Sequence, residues 1–506
     1  MKIERKKNAA RNVVFGVIQR LYNMVMPFIM RTVMIYLMGV EYLGLNSLFT
    51  SILQVLNLAE LGVGSAMVFS MYKPIAEDDD DTICALMKLY RFYYRIIGGV
   101  VLGVGLIILP FIPKLISGDV PAGINVYVLY LLNLLATVFS YWLFAYRNSI
   151  LNAYQRTDVV SKITMLTNTI QYGLQIFVLF AFHNYYYYVI AILATQILNN
   201  IITAVISKRM YPAYDPKGDL PKGEIKSING RVRDVFTSKV GGTILNSADT
   251  IVISAFLGLK ALAIYQNYYY IMSAVMAIFT IFFNSLTAGI GNSLIVESPE
   301  KNYKDYRKVT LMTFLGMAIC MSEMLSLYQP FMKIWVGKKL MLGFPMVVLF
   351  CVYFFFVEYV MLASAYKDAA GIWHEDRFRP LISGIANLGM NLVMVQFWGL
   401  YGIIVSTILS SGFISSPWIT HNLFTLIFKG KFKNYLPRLI YETIMIIVCM
   451  LASFFIGGLI PATNILLLLL RAVVVLIVSS AVAYVMVYRT PEFKSLKTMV
   501  RGLIKR

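Results

Sequence analysis

Ionisable side chains are scarce in this 506-residue chain: charged residues make up 14% and histidine occurs three times. A soluble domain carries about 25% charged residues, so a soluble enzyme, a disordered protein and a fibrous one are all excluded. Cysteine is scarce as well. Cys84, Cys320, Cys351 and Cys449 lie far apart with no CxxC, which leaves neither a disulfide framework nor a thiolate metal site. No GxxxxGK[ST] loop, HExxH or GxSxG occurs, and His183, His374 and His421 are isolated in sequence. ATP hydrolysis on a phosphate-binding loop and hydrolysis by those zinc or serine signatures are therefore excluded.

Apolar residues take the place of the missing charge, at 59% of the chain with a mean hydropathy of +0.70. A membrane-spanning helix needs about 20 mostly apolar residues. Fourteen such stretches are expected: 12–38, 44–71, 85–112, 122–145, 159–182, 185–207, 236–258, 262–290, 307–330, 343–366, 380–398, 400–424, 438–459 and 464–488. The reading is an all-α polytopic membrane protein.

The net charge of +20 suggests nucleic acid until its distribution is followed. Of the 45 Lys and Arg, 37 fall in or beside the N-terminus, the even-numbered connections and the C-terminal tail. Lys114, Lys260, Lys333, Lys338 and Lys339 fall on the other side, and Arg20, Arg31 and Arg471 fall inside spans. This bias places both termini in the cytoplasm and makes anionic lipid head groups, not nucleic acid, the partner of the basic loops. The first span reads as a true span and not a signal peptide, because Arg20 interrupts an apolar run longer than an h-region. Tyrosine runs at 185–188 and 268–270 read as an interfacial aromatic belt. The run Glu77 to Asp81 reads as a solvated turn, and Lys429, Lys431 and Lys433 as an inside-flanking cluster.

The two halves resemble each other. Arg31-Thr-Val-Met-Ile-Tyr-Leu-Met-Gly39 aligns with Asp249-Thr-Ile-Val-Ile-Ser-Ala-Phe-Leu-Gly258 with one inserted residue. At the offset the glycines set, Leu43 matches Leu262 and Asn168 matches Asn387. A parallel repeat of six spans follows, with two appended spans. The expected organisation is an N-terminal lobe at 1–207, a cytoplasmic linker at 208–235, a C-terminal lobe at 236–424, and spans 13 and 14 with the tail at 425–506. Such pseudo-symmetric six-helix lobes place a site between them, near the midplane.

Charge inside a membrane is expensive and marks function. Arg20, Asn23, Pro27 and Arg31 are spaced by three, four and four residues, on one face of the first span. Pro27 removes a backbone hydrogen bond and is the expected hinge. Asn46, Thr50, Gln54, Asn57, Glu60 and Gly64 form a second stripe on the next span. Polar residues also glue helices together, but glue needs one or two groups and not a column. A water-filled cavity suits a column better. Arg20 and Arg31 are the expected phosphate ligands, since a guanidinium gives permanently charged bidentate donors. Glu60, Asp249, Asn57, Gln54, Asn23 and Asn246 are the expected lining and coupling groups. Arg31 and Asp249 occupy equivalent repeat positions and are expected on facing walls, with Arg31–Asp249 or Arg31–Glu60 as a pair that a ligand or proton breaks. A static ion pair is the plainer alternative for each acid. Glu323, Glu358 and Arg471 carry less weight, because no polar column surrounds them.

The segment from Arg31-Thr through Leu-Met-Gly-Val-Glu-Tyr-Leu-Gly-Leu-Asn-Ser-Leu-Phe, followed by Leu58-Ala-Glu-Leu-Gly-Val-Gly64 and Ser70-Met-Tyr-Lys-Pro74, resembles bacterial polysaccharide-biosynthesis flippases. These are the lipid-linked oligosaccharide branch of the multidrug/oligosaccharidyl-lipid/polysaccharide (MOP) exporter superfamily. Asp249-Thr-Ile-Val-Ile-Ser, Phe256-Leu-Gly-Leu and Tyr265 are similar to its seventh and eighth spans. The resemblance implies a V-shaped pair of bundles in a bacterial cytoplasmic membrane. It implies alternating-access movement of an undecaprenyl-diphosphate-linked oligosaccharide to the outer leaflet, with Arg31 engaging the diphosphate. It implies no resident cofactor, with H+ or Na+ as candidate coupling ions, and a polysaccharide polymerase or ligase as candidate partners. Only Arg20 stands beside Arg31, fewer basic residues than related lipid flippases carry in the cavity. A drug/cation antiporter shares the fold, and paired arginines argue against its cargo. A membrane polymerase or ligase needs a substantial outer loop, which this sequence lacks, so the chain is not read as an enzyme.

Overall fold

A computed structural model describes residues 5–118 and 120–504; the side chains of 5–7, 9, 10, 13, 234, 237, 238, 246 and 499–504 lie outside that description. Every regular element among the described residues is helical. Two compact units divide the chain, Met1–Ala263 and Ile264–Arg506.

The first unit contains α1 (Arg5–Leu37), α2 (Val40–Leu56), α3 (Val63–Ala76), α4 (Asp80–Ile108), α5 (Val126–Trp142), α6 (Asn148–Ala153), α7 (Thr157–Phe182), α8 (Tyr185–Met210) and the first part of α9 (Lys222–Val296). Side-chain caps start several of them: Asp79 accepts from the Thr82 N–H, Asn125 from Tyr127 and Asn184 from Tyr186, each satisfying an orphan first-turn donor. α1 lies along α7, tied by Gln19 to Ser161 and by the Tyr22 hydroxyl to Thr169 at 2.8 Å. α4 meets α5 where the Tyr130 hydroxyl donates to the Gly105 carbonyl at 3.1 Å. α7 and α8 are joined through Thr167–Asn199 and Thr195–Gln171 bonds of 3.1 Å.

α9 turns at Gly258, whose φ is 85° and ψ 174°. Its first part is held within this unit: the Ser117 N–H donates to the Ser254 carbonyl at 2.9 Å. Gly44 of α2 lies against Leu259 so closely that a Cβ there would stand 2.3 Å from the Leu259 carbonyl oxygen. These contacts keep the first part of α9 with the unit that ends at Ala263; a cytoplasmic linker was expected at 208–235. Of that stretch, 208–210 ends α8, 211–221 is loop and the remainder is helical as the start of α9. At the same end, Arg147 donates to Asp215 at 2.8 Å and to the Tyr214 carbonyl at 2.7 Å, and Lys208 also donates to Asp215. Hydrogen bonds from Lys208 and then Arg147 hold the Asp215 carboxyl below the usual carboxylate range.

The second unit contains the rest of α9, α10 (Pro299–Trp335), α11 (Phe344–Ala369), α12 (Arg379–Trp398), α13 (Leu400–Leu409), α14 (Ser416–Asn422), α15 (Phe432–Gly458), α16 (Ile465–Val487) and α17 (Pro491–Ile504). Wider π-helical turns at Ser410–Ser415 and Leu423–Ile427 flank α14. α10 packs on α11, α15 and α16 around fully buried Phe314, Met317, Phe350 and Phe354. Arg471 joins α16 to α10 through Ser326 at 3.2 Å, and Glu492 of α17 bridges Arg307 and Arg438.

Among the described residues eleven helices are long and apolar enough to cross a membrane, or up to twelve if α5 and 145–153, bent by 49°, are taken as one span. The expected count was fourteen. The start of α1 lies partly outside the described residues, so the expected span 12–38 is not part of that tally. The expected spans 236–258 and 262–290 fall in one helix, α9, turned at Gly258.

Gly44→Ala is expected to cost about 1–3 kcal/mol through overpacking against backbone, lowering the thermal midpoint, while Gly99→Ala, with open space around it, leaves the midpoint unchanged. Asp215→Asn is expected to lower the midpoint at pH 7. A depressed carboxyl stabilises the fold above its unfolded value of about 3.9, and that stability is lost as the pH falls through the folded value. Thermal melts from pH 7 to pH 3 therefore show the gap between wild type and Asp215→Asn closing in acid.

Candidate functional site: the open polar face of α1 and α2

α2 is buried around most of its circumference. Leu45, Leu48, Phe49, Ile52 and Leu56 pack inward, while Asn46, Thr50, Gln54 and Asn57 share the remaining sector and are exposed or half-buried. The open side of α2 is thus its polar stripe. α1 shows the same stripe beside a different surface. Arg20 and Asn23 are exposed, Pro27 and Arg31 half-buried, and all four fall within about 80° of the helix circumference. Val14, Val17, Ile18, Leu21, Val25 and Ile29, all 40–57% exposed, occupy the adjoining sector of about 120°. α1 therefore presents a polar column and an apolar strip side by side. It runs through Pro27 as one helix, with the Thr32 hydroxyl returning to the Phe28 carbonyl at 2.9 Å.

Beyond Leu56 the backbone tightens over Asn57–Glu60 and breaks, and Gly62 takes φ 91° before α3 begins. Gly62 is required there: its φ is left-handed, and a Cβ would lie 2.8 Å from the Val232 carbonyl oxygen. A break inside a spanning stretch is tolerated where protein or water satisfies the freed groups. Glu60 sits at this break. Its Oε1 accepts from the Tyr94 hydroxyl at 2.9 Å, Tyr90 donates to Tyr94 at 2.7 Å, and Tyr141 donates to Asn57 at 2.9 Å and more weakly to Glu60 Oε2 at 3.4 Å. Lys239 acts on Glu60 at longer range. Glu60 thus sits in a tyrosine cage; the sequence offered it as one of two acids that could pair with Arg31. The carboxyl is fixed in place by hydroxyl donors.

Asp249 was expected opposite Arg31. It is 5% exposed, among buried Ser247, Thr250 and Ser254, and belongs to the same unit as Arg31. The repeat was read as placing the two on facing walls; packing of α9 through Leu259 and Ser254 keeps Asp249 in the first unit. Asn246 is in α9, with its side chain outside the described residues.

Sequence reasoning missed two features. The tyrosines of the Glu60 cage come from α4 and α5, at no periodic spacing from Glu60. In the second unit, Asn387 donates to Thr407 at 3.0 Å, Asn391 to Asn387 at 3.2 Å and Ser406 to Asn391, a fully buried polar seam between α12 and α13. Glu358, dismissed for lack of a polar column, is fully buried with no hydrogen bond to either oxygen among the described residues. Those residues contain no cluster of three or more His, Cys, Asp or Glu placed to hold a metal ion.

A sequence model of the polysaccharide biosynthesis protein family matches residues 9–275, a stretch that contains the whole polar face. The chain belongs to that family. It is thereby a member of the MOP superfamily. Among curated proteins none matches. Among solved structures this family member is similar to the lipid II flippase MurJ in an inward closed conformation, at 15% identity and TM-score 0.64 over 94% of this chain and 100% of that one. It is similar also to an inward-facing multidrug resistance MATE family transporter of the MOP superfamily, at 15% identity and TM-score 0.63 over 84% and 99%. An outward-facing MATE family transporter gives 14% and 0.53 over 84% and 97%. At such identities the likeness is one of fold, and it is the all-helical membrane fold the sequence implied.

The cage carries a double-mutant prediction. Tyr94→Phe, Glu60→Gln and the double variant, measured by thermal or denaturant unfolding in detergent, are expected to show a coupling of about 1 kcal/mol or more. Additivity within about 0.5 kcal/mol contradicts a Tyr94–Glu60 bond.

Proposed function

We propose that this protein is a flippase that carries an undecaprenyl-diphosphate-linked oligosaccharide from the inner to the outer leaflet by alternating access, for cell-surface polysaccharide biosynthesis. The observation that carries the reading is the double surface of α1. A lipid-linked glycan needs a hydrated, cationic track for its diphosphate and an apolar edge for its polyprenyl chain, and α1 offers Arg20, Asn23 and Arg31 beside Val14 to Ile29. Membership in a polysaccharide biosynthesis family supports it, as does likeness in fold to a protein named as a lipid II flippase.

In this reading Arg31 and Arg20 hold the diphosphate, because a guanidinium pairs two phosphate oxygens without titrating. Asn23, Gln54 and Asn57 bond the sugars or the water around them, Glu60 and Asp249 are the coupling groups, and Pro27 is the hinge. Coupling runs on H+ or Na+. The protein works in the bacterial cytoplasmic membrane with both termini inside, as the charge bias argues, and hands its cargo to a polymerase or ligase without chemistry of its own.

Proteoliposomes loaded with a fluorescent polyprenyl-diphosphate sugar test this directly. Wild type is expected to move the lipid between leaflets, and Arg31→Ala to slow it about tenfold or more, the value of a charge-assisted phosphate contact. Movement unaffected by Arg31→Ala discards the site. A stationary lipid, with a cationic dye crossing in response to a proton or sodium gradient, replaces the flippase with an antiporter.

A further inference from the structure

The second unit contains a recess of about 820 Å³ between α11, α14 and α15. Phe355 and Phe356 form one wall, Pro417 and Thr420 a second, and Ile440 and Thr443 a third. Its hydroxyls are largely spent on the protein: Tyr359 and Thr420 bond each other at 2.8 Å, and Thr443 bonds the Leu439 carbonyl at 2.7 Å. The lining is therefore apolar in effect. Lys433 is the cation of its lining, His421 adds an imidazole, and no carboxylate lines it.

Position and length narrow the occupant. α15 is one of the helices apolar enough to span the membrane, and Lys433 stands in its first turn, exposed at head-group level. From Lys433 to Ile444 the helix rises about 16 Å, close to the depth of one leaflet, about 15 Å of a hydrocarbon core of about 30 Å. Ile440 and Ile444, about half exposed, open the recess toward the lipid side. The volume is in the range of ligand sites. The π-helical turns at Ser410–Ser415 and Leu423–Ile427 bracket the α14 wall, and such turns recur at functional sites.

We infer that this recess is a binding site for one anionic phospholipid, with an acyl chain between α14 and α15 and the phosphate at Lys433. The occupant is a resident lipid and not the proposed cargo, since a long polyprenyl chain exceeds a recess one leaflet deep. It fills the gap between α15 and the α11–α14 wall.

Photolabelling in phosphatidylcholine proteoliposomes, with a diazirine-bearing phosphatidylglycerol as probe and peptide mapping as readout, tests the assignment. Label is expected on the segment 416–444. Thr443→Trp, which fills the recess, is expected to abolish it, and Lys433→Glu to reduce it about tenfold. Lys433 is exposed, so Lys433→Glu decides the matter if Thr443→Trp does not fold. Label elsewhere, or label indifferent to Lys433→Glu, overturns the proposal. Equal labelling by a phosphatidylcholine probe overturns the anionic assignment, and displacement by undecaprenyl phosphate ahead of phosphatidylglycerol assigns the recess to the cargo instead.

Discussion

A polar group facing hydrocarbon has nothing to bond, and the rest of this structure depends on that constraint. α2 obeys it by burying every face except its polar stripe, and α1 by keeping Arg20, Asn23 and Arg31 in one narrow sector. Side chains that are polar, open and ranged along helices in a membrane fold require water beside them. A conduit for a charged head group follows from that requirement more directly than from any single residue.

The break after Leu56 serves the same end. Helical hydrogen bonds given up at Asn57–Glu60 free backbone and a carboxylate at depth, and the tyrosines of α4 and α5 supply hydroxyls there. Gly62 makes the break possible because neither its φ nor its closeness to Val232 admits a side chain. Gly44 has a comparable part, letting α2 approach α9 at Leu259. Backbone contacts within one unit help to hold the polar face.

The fold class was legible because apolar runs and charge bias are properties of composition along the chain. The stripes were legible because helical periodicity projects them onto a face, and the structure finds Gln54, Thr50 and Asn23 on that face. What sequence could not give was partner choice. Glu60 meets Tyr94 and Tyr141 through packing of α4 and α5, which no spacing records. Asp249 was assigned by repeat logic to a wall facing Arg31, while its place in the first unit comes from packing around Leu259 and Ser254, which the repeat does not record. The repeat aligned residues, while the division of the chain followed contacts. Asn387 was noticed only as a repeat match to Asn168, and its seam with Asn391 and Thr407 was not, because paired neutral groups on two helices leave no charge or spacing to notice.

Water beside the stripe is the central claim, and thiol accessibility measures it. In a background lacking the four native cysteines, Gln54→Cys, Thr50→Cys and Asn23→Cys are compared with Leu21→Cys and Val25→Cys in intact membranes, using a membrane-impermeant thiol reagent. The account predicts rapid labelling at the three polar positions, protection there by a polyprenyl-diphosphate sugar, and no labelling at the two apolar ones. Equal silence at Gln54, Thr50 and Leu21 would mean that no water reaches the stripe, and would contradict the account.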